Sequence, residues 1–229
     1  KLLDVRNGRI RPATDKKILV SWNSLLMLGL INAYKVTGNY NYYDSAKKCF
    51  DFIKNYMYVN DKLYACYHDK PCFNAYLDDY AFLLDAVLEY LQTHWDSDYL
   101  QFAIELADIL LDQFEDTGYG GFYFTANDHE SLIQRPKVTS DEATPSGNGI
   151  AAYALLRLGH LLNNPKYLQA AERTLEYASQ QITTTPIAHA SLLRCSEEIN
   201  NPPTTIIIRG STDELKQWQK ICQQSFSPQ

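Results

Sequence analysis

The sequence lacks the features that mark nucleic-acid-binding and membrane proteins. Acidic residues (27) outnumber basic ones (21) and the net charge is −6, so there is no basic field to attract a nucleic acid or an anionic membrane. No uninterrupted apolar stretch is long enough to span a bilayer. Nucleophile-elbow, phosphate-loop and dinucleotide-binding motifs are also absent. The sequence therefore predicts a soluble globular protein with no nucleic-acid or membrane partner and no cofactor.

Disulfide and metal frameworks are lacking as well. The five cysteines are odd in number and scattered, and Cys49 falls on the apolar face of a predicted helix, where a free thiol behaves as a small hydrophobe. This pattern favours a reducing compartment, and we expect a cytoplasmic protein. Cys66, His68 and Cys72 are close in sequence, but no second ligand pair has a matching spacing, so we predict no metal site.

What the sequence does contain is a degenerate internal repeat. Ser21-Trp22-Asn23, Asp78-Asp79-Tyr80 and Ser146-Gly147-Asn148 each open a long apolar segment. Trp22, Asp79 and Gly147 each precede, by the same interval, a tyrosine that is followed four residues later by an alanine. A repeat of this length fits a helical hairpin plus a long loop.

The two halves of each repeat differ in character. The first segments, at 20–36, 81–91 and 150–162, are apolar nearly all round, so we expect these helices to be covered on all sides. The second segments carry apolar residues at helical spacing with charges between them. A buried helix followed by an amphipathic helix, three times, predicts an all-α fold: part of an α/α toroid with about three helical hairpins in an inner and an outer ring.

Smaller elements interrupt or follow these hairpins. Aromatic residues at 122–125 and the pair Leu132-Ile133 predict a small β-hairpin, and His189 lies near the start of a short further helix. A strand over 204–208 and a helix over 211–223 predict a terminal β-α segment, which divides the chain into a toroid portion (1–200) and an incomplete segment (201–229). A lone strand leaves its backbone groups unpaired, and the chain starts without an initiator methionine, so we expect a piece of a longer protein.

Sequential hairpins around a ring place every inner-helix N-terminus on one rim. Helix N-termini attract anions and oxygen-rich ligands. An aromatic ring, amides, carboxylates and a hydroxyl on one rim suit recognition of a carbohydrate. The predicted substrate-binding residues are those at or just before the three helix starts: Trp22, Asn23, Asp78, Tyr80, Lys137, Ser146 and Asn148.

The same residues permit two kinds of catalysis. Hydrolysis of a glycosidic bond needs two carboxyl groups, for which Asp79 and Asp141 form the best pair. Epimerisation beside a carbonyl needs a group that titrates near neutrality, and His189 is the best candidate. A structural interpretation competes with both, because Asp and Ser are preferred helix caps in any protein.

Four motifs carry a family resemblance. They are Arg11-Pro12-x-x-Asp15-x-Lys17-Ile18-Leu19-x-Ser21-Trp22-Asn23, Tyr76-Leu77-Asp78-Asp79-Tyr80-Ala81, Gly120-Gly121-Phe122-Tyr123, and Arg135-x-Lys137-x-x-x-Asp141-x-Ala143-x-Pro145-Ser146-Gly147-Asn148. With these motifs the chain resembles the YyaL-like family of thioredoxin-domain-containing proteins, which includes the spermatogenesis-associated thioredoxin-like proteins.

The resemblance implies a toroid of six hairpins, like those of glycosidases and N-acylglucosamine 2-epimerases, preceded by a thioredoxin-like domain. This chain would then be the later half of the toroid, lacking that domain and the first hairpins, and its uncovered flank could self-associate. The resemblance also leaves open a non-catalytic role, in which the rim binds a partner segment and the thioredoxin-like domain supplies the chemistry.

Overall fold

The computed structural model describes residues 1–130, 132–202, 204, 206–211, 214–215, 217–218 and 221. Its helices are α1 (Leu2–Asn7), α2 (Val20–Thr37), α3 (Tyr40–Phe52), α4 (Leu77–Thr93), α5 (Ser97–Ile109), α6 (Gly147–Leu162), α7 (Pro165–Thr184) and α8 (Ala190–Asn200). Its strands are β1 (Ile18–Leu19), β2 (Tyr58–Val59), β3 (Lys62–His68) and β4 (Lys70–Asn74). Single π-helical turns extend α3 over Ile53–Met57 and α5 over Leu110–Phe114.

The helices form the predicted arc of an α/α toroid. Inner helices α2, α4, α6 and α8 pack side by side in that order, and α3, α5 and α7 pack outside α2, α4 and α6. The core lies between the two layers, where α4 buries fourteen of its residues, Leu83, Leu84 and Ala86 among them. Because α4 and α6 have neighbours on every side, their sequences are apolar nearly all round.

Helix α2 differs from this pattern. We expected it to be covered on all sides, but only Val20, Ser24, Met27 and Ile31 are buried. The opposite face carries Trp22, Leu26 and Val36, which are 66%, 55% and 64% exposed. The expectation was wrong for this helix because α2 is the first inner helix of the arc in the described residues and has an inner neighbour, α4, on one side only.

The small β-hairpin is present at a different place from the one we predicted. Strands β3 and β4 form it, with β1 and β2 also pairing antiparallel to β3. Residues 122–125, 132 and 133 lie in no strand, although Phe122 forms a single bridge with Glu115. The aromatic residues at 122–125 instead pack as a loop, in which Phe122 is fully buried.

About half of the terminal β-α segment lies outside the described residues. Residues 204 and 206–208 belong to no strand, whereas 214–215, 217–218 and 221 are helical. No helix in the described ranges is both long and apolar enough to cross a membrane.

Candidate functional site

The first turns of the inner helices meet, as predicted, and we call this surface the rim. Asp79 Oδ1 in α4 accepts a hydrogen bond from Ser21 N in α2 at 3.0 Å. Asp78 lies against α6 so closely that a Cβ atom at Gly147 would be 2.2 Å from its Oδ1. A Cβ atom at Gly149 in α6 would likewise be 2.0 Å from Ser191 Oγ in α8. These contacts bring α2, α4, α6 and α8 together at their N-termini.

Asp79 fastens α4 to α2. Its side chain is 4% exposed, and Oδ2 accepts a second backbone hydrogen bond, from Tyr76 N at 3.0 Å, which caps α4. Burial raises the pKa of Asp79 to about 6, although the hydrogen bonds from Tyr76 and Ser21 oppose the rise. Both oxygens of this predicted catalytic residue are therefore engaged by the backbone. The N-cap residue of helix α2 is Leu19, which makes no side-chain capping hydrogen bond.

Asp78 is in a different situation from its neighbour. It is half-buried, and its carboxylate accepts no hydrogen bond from the described residues. The pKa of Asp78 is raised to about 6, mainly because the group is buried and secondly because of the negative charge of Asp79. We had assigned Asp78 to substrate binding. A carboxyl group that has no hydrogen-bond donor among the described residues and a pKa of about 6 has the properties that a general acid needs.

Asp141 holds the start of α8. Its Oδ1 accepts hydrogen bonds from Ser146 N at 2.8 Å and Ser191 Oγ at 2.5 Å, and its Oδ2 accepts one from Ser191 N at 2.9 Å. Burial acts to raise the pKa of Asp141, but the hydrogen bonds from Ser191 and Ser146 outweigh it and lower the pKa. The carboxylate therefore stays ionised and caps α8, with α6 held beside it.

His189 is buried at the N-cap of α8. Its Nδ1 lies 2.9 Å from the carbonyl oxygen of Thr185, and its Nε2 lies 3.3 Å from Thr139 Oγ1. Both ring nitrogens thus have partners within the protein, and proton transfer to a sugar would require this arrangement to open.

Three of the other predicted residues join loops to helices. Lys137 Nζ pairs with Asp116 at 2.7 Å, donates to Gly120 O at 3.0 Å and lies 3.9 Å above the ring of Tyr177 in α7. Asn148 is fully buried and exchanges hydrogen bonds with the backbone of Phe122. Ser146 caps α6 by accepting a hydrogen bond from Gly149 N at 3.0 Å. These contacts occupy the polar groups we expected to face a ligand.

The remaining predicted residues lie around the first two helix starts. Trp22 projects from the first turn of α2. The Asn23 side chain donates to Leu19 O at 2.7 Å. Tyr80 is buried beneath β3, where its hydroxyl accepts a hydrogen bond from Leu63 N at 3.2 Å, and burial raises its pKa to about 12. Of the two aromatic residues predicted to bind substrate, only Trp22 is at the surface.

A cavity of about 310 Å³ lies between β3, the end of α5 and the turn at 126–129. Tyr80 lines it, together with four aspartates, Asp61, Asp108, Asp112 and Asp128. Among the described residues, no cluster of three or more His, Cys, Asp or Glu side chains is arranged to hold a metal ion.

Sequence reasoning missed a buried charge network behind the rim. Arg157 in α6 pairs with Asp85 at 2.7 Å and with Glu89 at 2.9 Å, both in α4, and Lys35 in α2 also pairs with Glu89. Burial raises the pKa of Asp85 despite Arg157. For Glu89, the charges of Arg157 and Lys35 outweigh burial and lower the pKa. Two acidic residues four apart in the otherwise apolar segment 81–91 were the signal in the sequence.

The match to the family described as "Glycosyl Hydrolase Family 88" extends over residues 14–194. The chain belongs to Glycosyl Hydrolase Family 88. The resemblance found in the motifs is also confirmed, because this family 88 chain is 28% identical over 223 residues to Spermatogenesis-associated protein 20 of Rattus norvegicus. An uncharacterised protein of Caenorhabditis elegans is 29% identical over 218 residues. These matches cover 92% and 91% of the chain but only 28% and 30% of the relatives, so the chain spans under a third of their length.

Solved structures confirm the toroid fold. A family 76 α-mannanase of Bacteroides thetaiotaomicron superposes with a TM-score of 0.66 at 16% identity, over 93% of this chain and 58% of that one. Cellobiose 2-epimerase of Bacillus thermoamylovorans gives 0.61 at 16% identity, over 73% and 46%. An α-1,6-mannanase of Salegentibacter sp., inactivated by replacing two adjacent aspartates and bound to α-1,6-mannotetrose, gives 0.55 at 17% identity, over 77% and 50%.

Proposed function

We propose that this chain binds carbohydrate at the rim and cleaves a glycosidic bond there, with Asp78 as the proton donor. The observation that carries the proposal is the contrast among the three rim carboxylates. Those of Asp79 and Asp141 are engaged by hydrogen bonds within the protein, whereas that of Asp78 is half-buried without one. Trp22, exposed on the adjacent helix, offers an apolar face for a sugar ring.

The chemistry follows from the pKa of Asp78. A carboxyl group with a pKa of about 6 is partly protonated near neutrality, so it can give its proton to the bridging oxygen as the bond to the sugar breaks. Glycosidases pair such an acid with a second carboxylate. Asp79 is adjacent, and each of its oxygens accepts one backbone hydrogen bond and keeps a second lone pair. In this proposal Asp79 uses that lone pair to take a proton from the water that attacks the sugar as the leaving group departs with the proton of Asp78. The Salegentibacter mannanase, whose variant lacking two adjacent aspartates is inactive, supports a role for such a pair.

Cleavage is favoured over epimerisation because the epimerisation candidate, His189, has both ring nitrogens engaged and is buried. The chain also resembles an epimerase in fold, so the experiment must separate the two reactions. A purely partner-binding role for the rim, linked to a thioredoxin-like domain, is the remaining alternative.

Incubation with α-1,6-mannotetraose and, separately, cellobiose tests the proposal. We expect shorter mannosaccharides from the first, at a rate that declines as the pH rises through about 6, where Asp78 loses its proton. Asp78→Asn should abolish the products, and the exposed neighbour of Asp141 gives a control, Glu142→Gln, that should retain them. Conversion of cellobiose to its epimer without cleavage of any saccharide would contradict the proposal.

A further inference from the structure

Two cysteines lie opposite each other in the β3–β4 hairpin. Cys66 in β3 is the antiparallel partner of Cys72 in β4, and the flanking pairs are Tyr64 with Asn74 and Tyr67 with Pro71. Both thiols are free, and Cys72 Sγ donates to the carbonyl oxygen of Cys66 at 3.3 Å. The sequence analysis predicted no metal site at these cysteines, and the register of the strands brings the two residues together.

The backbone geometry suits a disulfide. Directly opposed residues of an antiparallel pair have Cα atoms about 4.5–5.5 Å apart, which falls inside the span of about 4.4–6.8 Å that disulfides bridge. Opposed side chains also project from the same face of the hairpin. Cross-linking these two residues therefore requires no rearrangement of the strands.

The other described cysteines provide the contrast. Cys195, in α8, is fully buried in the protein core, and Cys49 lies in α3 beside Asn23. Neither has a cysteine among its described contacts. Cys72 is partly exposed and Cys66 is buried, so an oxidant from solution meets Cys72 first.

We propose that Cys66 and Cys72 form a redox-active pair that a low-molecular-weight disulfide converts to a cross-strand disulfide. The Cys72 thiolate attacks one sulfur of the oxidant and expels the other as a thiolate. The Cys66 thiolate then attacks the Cys72 sulfur of this mixed disulfide and expels the second thiol. The two cysteines lose two electrons and two protons, and the oxidant takes them up to become two thiols.

The pair lies next to the rim but does not depend on the sugar proposal. Cys66 is also the register partner of Leu19 in β1, and Leu19 is the residue that precedes α2. A disulfide would therefore link β4 covalently to β3, the strand that pairs with β1 directly before α2. Burial raises the pKa of Cys66 to about 11, so closure of the mixed disulfide should accelerate as the pH is raised.

Oxidation of the native chain with glutathione tests this proposal without any variant. After incubation with oxidised glutathione, free thiols are alkylated, and the denatured chain is cleaved before Asp69, which lies between the two cysteines. We expect the Cys66 and Cys72 fragments to remain joined, with the loss of two hydrogen atoms, until a reductant separates them. Backbone amides at 62–74 should also exchange hydrogen more slowly in the oxidised protein.

Single variants identify the order of the steps. Cys66→Ser should accumulate glutathione on Cys72, and Cys72→Ser should leave Cys66 open to alkylation. Cys195→Ala is the matched control and should form the joined fragments normally. The proposal is overturned if both thiols of the native chain stay alkylatable in excess oxidised glutathione, or if Cys72 keeps glutathione while Cys66 is present.

Discussion

Asp78, Asp79 and Asp141 are identical side chains in three different settings. Hydrogen bonds from Ser191 and Ser146 lower the pKa of Asp141, whereas burial raises the pKa of Asp78 and Asp79 to about 6. A carboxyl group whose pKa is lower in the folded protein than in the unfolded chain adds stability. One whose pKa is higher subtracts stability once both states are ionised.

Replacing Asp78 by asparagine should stabilise the chain at pH 7 by about 1–2 kcal/mol, because the uncharged amide avoids the cost of burying a carboxylate. In the wild type, stability should fall as the pH is raised from about 4 to about 6, because in this range the unfolded chain has lost the proton that folded Asp78 keeps. Urea denaturation across this range measures both effects. If Asp78→Asn is less stable than wild type at pH 7, the uncompensated burial of this carboxylate is refuted.

Replacing Asp141 by asparagine should have the opposite effect, a loss of about 1–3 kcal/mol at pH 7, because its hydrogen bonds to charged oxygens are weakened. The contribution of Asp141 is present above its unfolded pKa of about 4 and is lost as the pH falls through the lower folded value. Glu142→Gln, at the exposed neighbouring position, should change stability little. Equal denaturation midpoints for the two variants would exclude a capping role for Asp141.

At the scale of elements, glycine determines how closely α8 approaches α6. A Cβ atom at Gly149 would lie 2.0 Å from Ser191 Oγ and 2.7 Å from Ser191 Cβ. Gly149→Ala should therefore destabilise the chain by about 2–4 kcal/mol, through overpacking and loss of the Ser191–Asp141 hydrogen bond.

Gly29 provides the matched control for this prediction. It lies in the middle of α2 with open space where a Cβ atom would be, so Gly29→Ala should stabilise the chain by up to about 1 kcal/mol through helix propensity. Thermal unfolding of both variants checks the pair. Two shifts of the same sign would contradict the described packing of α6 on α8.

Patterns within the elements predicted much of the fold. The all-round apolar segments predicted the inner helices, and the shared position of Asp79 and Gly147 in the repeat predicted that their helix starts meet. The hairpin was misplaced because the aromatic residues at 122–125 fit a strand as well as a packed loop, and only tertiary contacts decide between them. Partners far apart in sequence, such as Asn148 with Phe122, leave no local signal.

At the scale of the whole molecule, charge links the inner helices. Arg157, Asp85, Glu89 and Lys35 join α2, α4 and α6, and Asp85 is 3% exposed. Removing one partner of a buried ion pair leaves the other charge uncompensated. This network of ion pairs therefore stabilises the packing of α2, α4 and α6 against one another.

Arg157→Ala should destabilise the chain by about 3–5 kcal/mol, because Asp85 and Glu89 lose their shared partner. Adding Asp85→Asn should recover part of that loss, since no buried charge then remains at that position. A double-mutant cycle in urea measures the coupling. Strictly additive losses would show that the pair does not interact as described.

The central claim is that the rim binds sugar beside Asp78, and ligand-dependent thermal unfolding tests it most directly. Wild type, Trp22→Ala and Glu142→Gln should be screened against the same panel of mono- and oligosaccharides. We expect at least one saccharide to raise the Tm of wild type and of Glu142→Gln, and to raise that of Trp22→Ala much less, because Trp22 is the exposed apolar face of the rim. If no saccharide shifts the Tm of the folded wild type, or if Trp22→Ala responds as fully as wild type, the rim is not a sugar site of this kind.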